Sequence, residues 1–98
     1  MISRNEFHAI CRKYGMIRID KTNIYTVLGL KSAPVAHWYK FGECSLKEIE
    51  GQSYQRNWVW RYHIESVEDF EQSVKKLVEQ VKKLALEHKM QQIEKDFE

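Results

Sequence analysis

Proline is nearly missing from this chain, one residue in 98, and the four glycines stand apart at positions 15, 29, 42 and 51. With so few chain breakers there is no linker to divide the sequence, and its length predicts a single domain, 1–98. The scattered glycines also exclude a Gly-rich loop running into a helix, the arrangement that cradles phosphates, so no nucleotide cofactor is expected. Cysteine is scarce as well: Cys11 and Cys44 are too few for a disulfide framework. No run approaches the roughly 20 apolar residues of a membrane span. Arg4, Glu6 and His8 interrupt the opening residues where a secretory signal would be apolar. A cytoplasmic chain with reduced thiols is the expectation. Charge of one sign is lacking too, since 16 Lys and Arg face 14 Asp and Glu. A net charge of +2 requires neither nucleic acid nor an anionic membrane as partner.

What the chain does hold is apolar and aromatic side chains in clear periods. Hydrophobic residues make up 43% and aromatic ones 12%, enough to build one core and too many for a disordered segment. Ser3-Arg4-Asn5-Glu6 is a capping box, in which the serine hydroxyl accepts from the Glu6 amide while the glutamate reaches back. Phe7, Ile10, Cys11 and Tyr14 follow at helical spacing and Gly15 supplies the left-handed stop. A first helix over residues 4–14 is predicted.

From Met16 the period changes to two. Residues 16–19, 24–28 and 35–41 read as short strands separated by turn-forming residues. Residues 43–53 read as a loop, in which Leu46, Lys47, Glu48 and Ile49 either make a helical turn before Gly51 or simply cross the surface. Tyr54 to Ile64 is the longest strand candidate. Its alternation predicts Trp58, Trp60, Tyr62 and Ile64 on one buried face, with Asn57, Val59, Arg61 and His63 on the other. Ser66 then caps a helix over 67–96, with Glu68, Asp69 and Glu71 at its positive end.

The predicted fold is therefore α+β: an N-terminal helix, an antiparallel sheet of about four strands within 16–64, and a long C-terminal helix packed on one sheet face and projecting beyond it. Phe70, Val74, Leu77, Val78, Val81, Leu84 and Ala85 form the stripe that covers the sheet. Past Ala85 the apolar spacing moves to nearly the opposite side, at Leu86, Met90, Ile93 and Phe97. One core satisfies one stripe. The second stripe predicts self-association, a homodimer through the distal helix.

Motifs for chemistry are sparse. His8 and Cys11 lie three apart on the first helix, and Cys44 or His37 could join them, yet structural zinc takes a second paired unit that the sequence lacks. No nucleophile and base stand in an ordered arrangement, so no catalytic, cofactor or metal site is assigned. Lys40, Arg56, Arg61 and His63, interleaved with rings, form a candidate basic face for a macromolecular partner or single-stranded nucleic acid. The function predicted is an interaction or regulatory protein, acting by association rather than catalysis.

Overall fold

A computed structural model describes residues 1–27, 34–50 and 57–96, the side chains of Asn57 and of 84–96 excepted. Helix α1 spans Arg4–Lys13 and helix α2 spans Val67–Asp96. Between them run β1 (Ile17–Arg18), β2 (Ile24–Thr26), β3 (Ala36–Tyr39), β4 (Glu43–Glu50) and β5 (Asn57–Ile64), antiparallel and in sequence order across one sheet. The fold is α+β. Five strands are present where about four are predicted, because residues 43–50 form a strand and not a loop. The predicted end of the second strand at Leu28, the 51–53 part of the loop and the start of the last strand at Tyr54 lie outside the described residues.

The predicted caps hold. Ser3 Oγ accepts from the Glu6 amide at 3.1 Å while Glu6 Oε1 accepts from the Ser3 amide at 3.1 Å, and Gly15 takes φ +76° after the helix. At α2, Ser66 Oγ accepts from the Asp69 amide at 3.3 Å. Gly42 closes the β3–β4 turn at φ +82°, and its carbonyl accepts from the Ile2 amide at 2.9 Å. A Cβ there would stand 3.0 Å from the Met1 side chain, so both the backbone and the space ask for glycine.

Register decides which side chains meet the helices. Tyr25, Ala36, Leu46 and Arg61 stand opposite one another across β2 to β5, and Trp38, Cys44 and Ile64 form the next row. Both rows share the helix-covered face. Tyr25 meets the Phe7 ring edge-on at 5.5 Å, and Phe7 packs on Phe70 at the same distance, joining α1, α2 and the sheet. Ile2, Cys11, Val35, Val74 and Leu77 complete a core in which Cys11 and Cys44 are both fully buried free thiols. Burial pushes the Cys44 thiol up to about 12 and raises that of Cys11 as well. Lys13 Nζ and the Tyr14 hydroxyl donate to Glu71, at 2.7 and 3.2 Å, and hold the carboxyl of Glu71 below its ordinary range.

Among the described side chains α2 packs on the core through Phe70, Val74, Leu77, Val78 and Val81, and the helix runs to Asp96, about 45 Å in all at 1.5 Å per residue. The longest dimension of the molecule is 54 Å, well beyond the ~33 Å diameter of a compact chain of this size.

Candidate functional site

The helices leave the other side of the sheet open, and a single irregularity decides what lies there. Between the pairs Cys44 with Ile64 and Leu46 with Arg61, β4 advances two residues and β5 advances three. The extra residue forms a bulge at His63, which adopts φ +60°. Without it, Ile64 would share a face with Trp58, Trp60 and Tyr62. With it, Ile64 turns into the core at 2% exposure while the three rings turn outward.

This corrects the predicted burial of that aromatic row. Trp58 is 37% exposed and Tyr62 57%, and α2 covers Leu46 and Ile64 instead. Trp60 stacks on Tyr62 with centroids 6.2 Å apart, and Lys47, directly opposite it on β4, sets its ammonium 5.2 Å from the indole centroid. On β3, His37 and Tyr39 pack ring on ring at 4.2 Å. Ser45 lies between the two ring pairs in the middle of the sheet. It is fully buried, and its Oγ has no hydrogen-bond partner among the described residues. Ile17, exposed on β1, extends the same face.

Of the cations predicted for a basic face, the described ones do not share one surface. Arg61 points to the helix side, where its Nη1 donates to Asp69 Oδ1 at 3.0 Å and to Ser73 Oγ at 3.1 Å, with Glu48 Oε1 at 3.5 Å. Asp69 holds the Arg61 guanidinium still more firmly protonated. His63 sits at the bulge with Nδ1 2.9 Å from Glu43 Oε2, a contact that lowers the Glu43 carboxyl from its ordinary value. Lys40 is exposed in the turn after β3. Arg56 lies outside the described residues. Of the distal stripe, Leu86, Met90 and Ile93 fall within α2 but their side chains lie outside the described residues, as does Phe97 altogether.

Among the described residues no group of three His, Cys, Asp or Glu side chains is placed to hold a metal. Of the residues considered for zinc, His37 is parted by the sheet from the others, lying on the open face while Cys11 and Cys44 sit in the core. His8 belongs to a structural network: Nδ1 lies 2.7 Å from the Tyr25 hydroxyl and Nε2 lies 3.3 Å from Asn23 Oδ1, which also accepts from Arg4. Burial and the neighbouring Arg18 lower its pKa below the ordinary 6.5. A histidine depressed in the folded state binds its proton more readily once unfolded, so its contribution is complete above about pH 6.5 and is lost as pH falls toward the folded value. The melting temperature is expected to drop as pH is lowered from about 7 to about 5, with His8→Gln flattening that slope. Melts across this range, above the window where Glu6, Glu43 and Glu71 titrate, check it.

A concavity of about 560 Å³ lies between Met1–Ser3 and the 40–42 turn, lined by Trp38 and the exposed Phe41. Its carboxylate, Glu6, is committed to the capping box. Comparison with protein-family models, with curated proteins and with solved structures finds no match to this chain.

Proposed function

We propose that this protein is a non-catalytic association module that receives a protein partner on the open aromatic face of its sheet. The observation that carries this reading is the bulge at His63, which exposes Trp58 and Tyr62 beside Trp60, His37 and Tyr39. Amphipathic rings with polar tips supply large contact areas at little entropic cost, and such residues dominate the energetics of protein interfaces. Nucleic acid would need cations in register with its phosphates. Among the described residues on this face Lys47 is the one fixed cation, with Arg61 turned away and paired.

Two expected results test the reading. Replacing Trp58 and Tyr62 together by threonine should leave the protein folded, within about 1 kcal/mol for exposed strand positions. It should also abolish photo-crosslinking of a cellular partner to a probe placed at Lys47. A double variant that crosslinks as well as the wild type would remove the face from the function. Titration with single-stranded RNA and DNA at low salt should show no binding, whereas tight binding that weakens steeply with salt would turn the reading to nucleic acid.

A further inference from the structure

The sheet ends in two unlike edges. β1, two residues long, is guarded by its shortness, while β5 offers eight residues, about 27 Å of strand, and among the described residues pairs with β4 alone. The bulge at His63 guards only the far end of this edge, and from Trp58 to Tyr62 it carries neither of the other usual marks, proline or a free lysine. The strand's one fixed charge, Arg61, is held by Asp69 and Glu48 on the helix side.

The geometry points to a second copy of this chain as the occupant of that edge, with the two β5 strands pairing antiparallel about a two-fold axis at Trp60. This pairing stands independently of what the open face receives. An antiparallel strand pair is its own complement, so one edge repeated builds a closed, isologous dimer with a continuous ten-stranded sheet. Alternation then matches side chains in kind. Trp60 meets Trp60 of the second copy, Trp58 meets Tyr62 on the open face, and Val59 meets Arg61 on the helix face. Moving the axis to Arg61 would oppose the two guanidinium groups, and the bulge at His63 ends the ladder just past Tyr62. Centred on Trp60, the register covers the strand from Trp58 to Tyr62 and opposes no like charges. The exposed rings at positions 58 and 62 lose their water on both copies at once.

Size sets the strength. Five paired residues, about 17 Å of strand, and a sheet layer about 10 Å thick give a footprint near 170 Å² per copy, well under the roughly 800 Å² of a standard interface. The dimer should be a weak one that assembles with rising concentration.

Sedimentation equilibrium from low to high micromolar protein should show monomer passing to dimer. Val59→Lys, which sets a lysine against Arg61 twice across the axis, should weaken the dimer about tenfold without unfolding the monomer. Trp60→Cys should form an intermolecular disulfide under mild oxidation, since residues paired on the axis stand within disulfide range and the native thiols are buried. Leu86→Cys should not. A chain that stays monomeric throughout overturns the proposal, as does an extended peptide that occupies the edge of such a monomer. A dimer that ignores Val59→Lys but dissociates in Leu86→Asp/Ile93→Asp overturns it in favour of the distal helix.

Discussion

Deleting His63 is expected to remove at least about 2–5 kcal/mol of stability, a larger effect than any substitution at that position. The residue makes one exposed contact, to Glu43, and its importance lies in being counted. If the strand closes the gap from its distal end, Ile64 leaves the core, at the cost of about 2–5 kcal/mol for an emptied aliphatic site. If Ile64 stays, every residue from Asn57 to Tyr62 changes face. Arg61 then loses Asp69 and Ser73, and Trp58 and Trp60 are driven against α2 where Val59 and Arg61 now fit. Either route consumes a large share of the ~5–15 kcal/mol that holds a domain of this size together. His63→Gly keeps the count and suits φ +60°, so its melting temperature should equal or exceed that of the wild type. His63→Val, a branched residue in the left-handed region, should cost about 1–3 kcal/mol. Thermal melts of the three variants separate the number of residues from their identity.

Phe70→Ala should give the largest loss for a single substitution, about 3–5 kcal/mol. The ring is fully buried in the first turn of α2 and packs on Phe7, which in turn meets Tyr25, so its removal opens a cavity where both helices and the sheet converge. In a domain of roughly 100 residues this corresponds to a melting temperature lower by about 15–30 °C. Phe41→Ala, at a ring 80% exposed in the β3–β4 turn, should change stability by no more than about 0.5 kcal/mol. Chemical denaturation of the two variants makes the comparison, and equal losses would mean that Phe70 does not sit in the core.

Local signals were the legible ones. Both helix starts can be read directly, because a capping box and a serine cap involve residues three apart and owe nothing to the rest of the fold. β4 was hidden because it lies between β3 and β5 and takes its conformation from both. Cys44 and Leu46 alternate correctly, but Lys47-Glu48-Ile49 then spaces its apolar residues as a helix would. The orientation of β5 was hidden for another reason. Strict alternation groups Ile64 with the three rings, and a histidine carries no glycine-like mark of positive φ. Arg61 offered a clue: Asp69 and Ser73 stand four apart on the inner side of α2, a ready acceptor pair for a guanidinium on the facing strand.

The two thiols give the molecule a built-in clock. Cys11 belongs to α1 and Cys44 to β4, and both are sealed from solvent and held as the unreactive thiol. An alkylating reagent can reach either one only while its layer is open, so the modification rate at each sulfur reports how often that layer parts from the other. Equal rates would mark helix and sheet as one cooperative unit; a faster Cys11 would show α1 lifting away while the strands remain paired.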